Sequence, residues 1–377
     1  MDLYFQCITN FEDFLGLKHS WRQLLAKIDS PSLFQTFEWH ESVLSWVRDE
    51  VSLRILLLYG NDELIGIAPF ALYEKRAAGI RYLVLDFIKC PDNQICDFLL
   101  HPQYKDESIK LVAQYLRQSS DWTALNLAHN PANSSHAEKL QEELDSVGLV
   151  TDLSSFDNNW FISLNSTWES FYRDRSRRLK KGNNLVLNKL NQSHEWEIKQ
   201  YQNTELLPES ELIQLVTKLS ANSWKVDTNN SLNFPGPQAF IRTLTHHLLE
   251  NGWLSLWVLY IDGTPAAMEY QVKYGTSYHA LRSDFDQQFS QQSPGTLLTW
   301  KLTEQLFHVH ESSPFKYYLG PGTNDYKKRW TTFSEPLSVL KGYNHTWLGY
   351  LIQTYDKQIL PIARTLRSNL NQKWSSE

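Results

Sequence analysis

The chain has 377 residues, a formal net charge of −6 and 42 % hydrophobic residues, enough to bury more than one core. Its acidic balance excludes a general nucleic-acid coat and a strongly basic membrane-surface protein. Cys7, Cys90 and Cys96 fit no zinc or disulfide spacing and read as free thiols of a reducing compartment.

The opening MDLYFQCITNFEDF is acidic and lacks a long apolar run, so it does not read as a secretory signal. No stretch of about 18 apolar residues predicts a membrane span, and a cytosolic protein is expected. Leu3–Thr9 reads as a strand, Asn10–Ile28 as one helix with an apolar face, and Thr36–Val47 as a second helix. Leu53–Tyr59 is an almost continuous apolar run, the mark of a buried strand. Asn61-Asp62 turns it into Leu64–Tyr73. Arg81–Phe87, Asp97–Leu100 and Ala124–Ala128 follow as strands, with helices at Lys105–Gln118 and Ser135–Val147.

The second half begins near Trp160, so the expected units are residues 1–155 and 156–377. Phe161–Leu164 is a strand, and Thr167–Leu190 a long helix carrying Arg173, Arg175, Arg177, Arg178, Lys180 and Lys181. This basic helix suits an anionic acceptor, or is a solvated face. Trp196–Tyr201 is a strand, and helices near Leu207–Asn222 and Gln238–Asn251 flank a polar loop. Leu254–Ile261 turns at Asp262-Gly263 into the strand Ala267–Tyr274, and Tyr274-Gly275 turns again into Ser277–Ser283. Ser293-Pro294-Gly295-Thr296 then opens an amphipathic helix with Leu298, Leu302, Leu306 and Val309 on one stripe. After Trp330 come a strand around Leu337–Lys341 and a closing helix, Trp347–Leu370.

LRILLLYGNDELIGIAPF from Leu53 aligns without gaps on LSLWVLYIDGTPAAMEYQ from Leu254, an offset of 254 − 53 = 201 residues. The match predicts two related α/β units side by side.

The helix opened by Ser-Pro-Gly has a chemical use. Ser before Pro is a helix start, and Gly295 has no Cβ to keep a ligand from the backbone. First-turn N–H groups and the helix dipole then favour an anion such as a phosphate. The same signal also fits a capped helix with no ligand.

The succession of hairpin, strand, Ser-Pro-Gly-Thr-Leu-Leu, helix, short strand and Gly-Pro-Gly-x-x-x-Tyr-Lys-x-x-Trp resembles the GNAT superfamily of acyltransferases. More narrowly it is similar to the BioF2-like or CelD-like branch, related to the FemAB peptidoglycan aminoacyltransferases. The resemblance implies two tandem GNAT-like domains with mixed sheets flanked by helices, the N-terminal one degenerate and shaping the acceptor cleft. It implies that Gln292, Ser293, Pro294, Gly295 and Thr296 cradle the pyrophosphate of acetyl-CoA or a longer acyl-CoA. It also implies that Tyr326 protonates the departing thiolate, and that Lys327 matches the Lys of the FemAB-type motif. The sequence departs from the usual loop in lacking Gly-x-Gly or Gly-x-Ala, and carries Tyr317-Tyr318-Leu319 where an Asp-Phe pair is common.

Transfer from a thioester needs a held donor, a neutral amine and a stabilised thiolate. The backbone of Tyr278–Leu281 is the expected oxyanion donor. Glu269 and His279 are the two candidate bases, with Asp284 beside them. Histidine titrates near the working pH, and a lone strand histidine can equally be a hydrogen-bonded core residue. Lys327 and Arg329 are candidate donors to acceptor or cofactor phosphates, or a solvated helix face. His246-His247 and His308/His310 lack the partners of a metal site, so no metal is expected. The function expected is acyl-CoA-dependent N-acyl transfer to a small molecule, sugar or envelope precursor. An aminoacyl-tRNA-dependent FemAB-like reaction and a non-catalytic module are the alternatives.

Overall fold

The computed structural model describes residues 2–228, 230–310 and 313–359. The first half runs β1 (Leu3–Ile8), α1 (Phe11–Gly16), α2 (Lys18–Leu25), α3 (Phe37–Val47), β2 (Val51–Gly60), β3 (Glu63–Ala77) and β4 (Ile80–Phe87). It continues with β5 (Leu99–Leu100), α4 (Lys105–Gln118), β6 (Ala124–Pro131) and α5 (His136–Ser146). The bridging strand β7 spans Thr151–Ser163. The second half holds α6 (Trp168–Arg173), α7 (Arg177–Ser193), β8 (Trp196–Tyr201), α8 (Glu209–Ala221), α9 (Pro235–Glu250), β9 (Leu254–Ile261) and β10 (Thr264–Tyr274). It ends with β11 (Ser277–Phe285), α10 (Pro294–Val309), β12 (Lys316–Pro321), α11 (Asp325–Trp330), β13 (Ser334–Tyr343) and α12 (Trp347–Thr354).

Three expected elements are recut by local chemistry. The helix expected over Asn10–Ile28 breaks at Leu17, after a first turn capped by Asn10, whose side chain accepts from Asp13 N. The helix expected over Thr167–Leu190 becomes α6 and α7, because Thr167 and Ser176 each present a side-chain oxygen as an N-cap. The strand expected at Asp97–Leu100 shortens to Leu99–Leu100. The closing helix ends at Thr354, passes into a wider turn to Ile359, and its last expected residues lie outside the described ones.

The strands form one sheet, in the order β1-β2-β3-β4-β6-β13-β7-β12-β11-β10-β9-β8, with β5 on β3. Read from its two edges the sheet repeats itself, β1-β2-β3-β4-β6 against β8-β9-β10-β11-β12, and β13 and β7 lie crossed between the halves. Thus β13, last in the chain, pairs with β6 of the first half, while β7 pairs with β12 of the second. Positions 155 and 156 both fall inside β7.

The offset of 201 residues holds at the level of single hydrogen-bonded pairs. Leu56 faces Ala68, and Trp257 faces Glu269. Both hairpins shift register at the same step, Leu58/Tyr59 in one and Leu259/Tyr260 in the other. Both turn through two residues of positive φ, Asn61 (49°) and Asp62 (64°), then Asp262 (49°) and Gly263 (75°). Asn, Asp and Gly tolerate that geometry, and it matches the twist of the flanking strands.

One core draws on both halves: α3 and α9 pack together over side chains of β2, β3, β9 and β10, including Leu57, Ile67, Val258 and Met268. The first half's own core lies under α4 and α5, and the second half's under α6, α7 and α10. Among the described residues no helix is long and apolar enough to cross a membrane.

Candidate active site

The parallel pair β11 and β12 is joined only at Ser277–Tyr278–His279 against Lys316–Tyr317–Tyr318. Beyond His279 the strands separate. Leu281 is a bulge: Tyr270 pairs with Arg282 and Gln271 with Ala280, leaving Leu281 no partner on β10. The chain then runs through a short, tightly wound helix, Gln287–Gln292, into α10. Ser293 adopts left-handed backbone (φ 51°, ψ 50°) and makes no side-chain cap, contrary to the capping role expected from sequence. It therefore acts as a corner, and no side chain occupies the helix end. A Cβ at Gly295 would meet only Phe285 Cδ1, at 3.9 Å.

A cavity of 310 Å³ opens beside this corner, lined among others by Glu269, Asp284, Gly295, Thr296, Tyr326 and Arg329. Six of the twelve residues expected from sequence thus meet in one place, from β10, β11, α10 and α11. Ser293, Gln292 and Pro294 do not line it. Gln292 Nε2 instead lies 3.3 Å from His194 Nε2, Pro294 is buried, and Lys189 of α7 donates to Gln291 O at 2.8 Å.

Glu269 is 4 % exposed and has no ion-pair partner among the described residues. Its carboxylate accepts from Tyr317 OH, from Gln271 Nε2 at 2.7 Å and from Ser283 Oγ at 3.4 Å. Burial pushes its pKa above the ordinary carboxylate range, the hydrogen bonds opposing that only in part. The Tyr317 phenol, buried against that carboxylate, is held well above its usual value and stays protonated. Tyr326 is 43 % exposed at the cavity's edge, and its phenol is raised by desolvation and by the Glu269 charge. Asp284 is met by the Lys225 ammonium at 2.6 Å, so its charge is already balanced within the protein.

His279 and Lys327 require correction. His279 points away from the cavity: Nδ1 lies 3.0 Å from Gln94 Oε1, and its ring stacks on Tyr318 at 4.9 Å. Burial lowers its pKa to about 3, so it is neutral and does not cycle protons near neutrality. Lys327 is 4 % exposed and donates to Gly320 O at 2.9 Å and Pro321 O at 2.6 Å. It clamps the end of β12 to α11 rather than reaching a ligand.

The first half reaches the site through residues 88–98. Where the second half has only 281–283 between Ala280 and Asp284, the first half carries this longer loop between the matching Phe87 and Leu99. Gln94 enters the wedge between β11 and β12, Nε2 donating to Ala280 O at 2.9 Å. Asp92 pairs with Arg282 at 2.7 Å, both side chains buried. Sequence reading missed both residues, since no local pattern marks a contact across 186 positions. At the matching positions of the first half, Glu269 is replaced by Ala68 and Asp284 by Leu99. The first half thus lacks both carboxylates. Among the described residues no group of three or more His, Cys, Asp or Glu is placed to hold a metal.

Residues 169–328 match the family described as Acetyltransferase (GNAT) domain. A comparison with curated proteins finds no match. Among solved structures the chain resembles FemX at 10 % identity and a TM-score of 0.53, covering 90 % of this chain and 97 % of that one. It also resembles the C-terminal domain of a putative lysylphosphatidylglycerol synthetase from Agrobacterium fabrum (9 % identity, TM-score 0.53, 90 % and 95 % covered). L-PGS from Bacillus licheniformis is similar at 7 % identity and a TM-score of 0.50, with 88 % and 94 % covered. At such identities the likeness is one of fold.

Proposed function

We propose that the chain, whose residues 169–328 match a GNAT acetyltransferase domain, moves an acyl group from acetyl-CoA or a longer acyl-CoA to an amine. The acceptor class is a small molecule, sugar or envelope precursor. The carrying observation is that one cavity gathers an unpaired buried carboxylate, a phenol and an open helix N-terminus. The α10 corner at Gly295 and Thr296 takes the donor's pyrophosphate, using first-turn N–H groups and the positive helix end. Glu269 removes the proton as the amine nitrogen bonds to the thioester carbon, its raised pKa bringing it closer to that of an amine under attack. The C–S bond breaks, and the Tyr326 hydroxyl donates to the departing thiolate. With its raised pKa, Tyr326 acts more as a hydrogen-bond donor than as a full acid. Backbone freed at the Leu281 bulge stabilises the developing oxyanion.

Calorimetry and thermal shift with CoA, acetyl-CoA and longer acyl-CoAs test this reading. Gly295→Trp is the matched variant: a Cβ fits there, while the indole fills the cavity. Binding in the wild type that disappears in the variant is expected. A wild type that no CoA stabilises refutes the reading.

A second reading, aminoacyl transfer from tRNA, is supported by exposed Arg177, Arg178 and Lys181 on α7 and Lys328 and Arg329 on α11. Arg175, between α6 and α7, donates to Trp330 O at the end of α11. For that donor, binding falls steeply with salt, because several phosphate contacts release counterions together.

A further inference from the structure

Helix α7 closes one wall of the cavity with Leu179 and Asn183. Asn183 is 1 % exposed. Its Nδ2 donates to Tyr172 OH at 3.2 Å. The Tyr172 ring in turn stacks on Trp168 (centroids 4.7 Å apart) and on Trp300 (5.8 Å). This stack fixes the position of the hydroxyl that receives the amide. Its other end, Oδ1, is buried and accepts no hydrogen bond within the protein. A buried amide oxygen left unpaired is destabilising, and Asn183 lines the cavity that holds Glu269 and Gly295.

The surroundings restrict what could satisfy it. Leu179, Met268, Phe285 and Leu298 make that wall apolar, and Thr299 adds a neutral hydroxyl. A carbonyl-type oxygen repels phosphate, while an attacking amine belongs at the Glu269 carboxylate. A volume of 310 Å³ suits a slender neutral chain with N–H groups. The pantetheine arm of an acyl-CoA is such a chain, with two secondary amides between alkyl segments. It would run from the phosphate corner at Gly295 to the thioester beside Glu269 and Tyr326.

We propose that Asn183 Oδ1 accepts a hydrogen bond from a pantetheine amide N–H, making Asn183 a positioning residue for the donor. This rests on the acyl-CoA reading and adds a contact that α7 supplies.

The test is calorimetry of CoA, 4′-phosphopantetheine and 3′,5′-ADP on wild type and Asn183→Ala. The variant is expected to bind CoA and 4′-phosphopantetheine about tenfold more weakly, with 3′,5′-ADP unchanged. Retained 3′,5′-ADP binding also shows that the variant is folded. Equal CoA affinity in both proteins overturns the assignment of Asn183 alone, as does an equal loss for all three ligands. A wild type that binds no CoA overturns the acyl-CoA reading itself, and this inference with it. Should the alanine variant not fold, Asn183→Leu keeps the side chain's size and removes Oδ1. Weaker CoA with unchanged 3′,5′-ADP then supports the contact, and unchanged affinity for both refutes it.

Discussion

Glu269 and His279 were equal candidates on sequence, and their surroundings separate them. Both are buried in adjoining strands, and burial disfavours the charged form of each, in opposite directions on the pH scale. The carboxyl is raised and hydrogen-bonded by three neutral donors, whereas the imidazole falls to about 3 with one amide neighbour. Only the carboxyl is left in a state where proton uptake is useful. Glu269→Gln is therefore expected to slow transfer by about 10²–10⁴-fold with CoA affinity kept within a few-fold. Stability should move the other way. A carboxyl whose folded pKa exceeds its unfolded value contributes stability below the unfolded pKa, and that stability is lost as pH rises through the folded pKa. The Gln variant escapes that loss, so its melting-temperature advantage over wild type should grow from pH 5 to pH 8. A variant with full activity removes Glu269 from the reaction, and an advantage that shrinks with pH contradicts the raised pKa.

At the scale of elements, what the sequence disclosed was local. The hairpin repeat was legible because turn chemistry and apolar runs act over a few residues, and Asn61-Asp62 and Asp262-Gly263 carry it unaided. The corner at Gly295 was legible for the same reason, though not the left-handed Ser293 that makes it. Lys327 was not legible: a lysine in Tyr-Lys-Lys-Arg reads as a phosphate donor or a solvated face until β12 is seen to end beneath it. There its ammonium meets two backbone carbonyls, and desolvation lowers its pKa to about 8. Lys327→Ala leaves those carbonyls without their donor and is expected to lose about 1–3 kcal/mol, measured by urea unfolding. Lys327→Arg should recover little, because a planar guanidinium does not fit a site shaped for a compact ammonium. Loss of activity without loss of stability in the alanine variant would instead place Lys327 on a ligand.

For the whole molecule, the exchange of β7 and β13 decides whether the two related units can be separated. The boundary expected at residues 155 and 156 follows from a second half that begins near Trp160. Those residues instead lie within a thirteen-residue strand that pairs with β13 over Thr151–Trp160 and with β12 over Asn159–Ser163. A fragment of residues 156–377 loses the first part of β7 and leaves β13 without β6. It also uncovers Val258 and Met268 of the shared core, where α3 packs on α9. Arg282, 1 % exposed at its side chain, loses both Asp92 and the first-half side chains that cover it. The half thus loses sheet pairing, shared core and its buried ion pair together. The full chain is therefore expected to melt in one transition, and the fragment to show no cooperative transition by circular dichroism and no CoA binding by calorimetry. Co-expression with residues 1–155 should not restore binding, since both pieces then carry a severed β7. A fragment that melts cooperatively and still binds CoA would make the first half a dispensable neighbour.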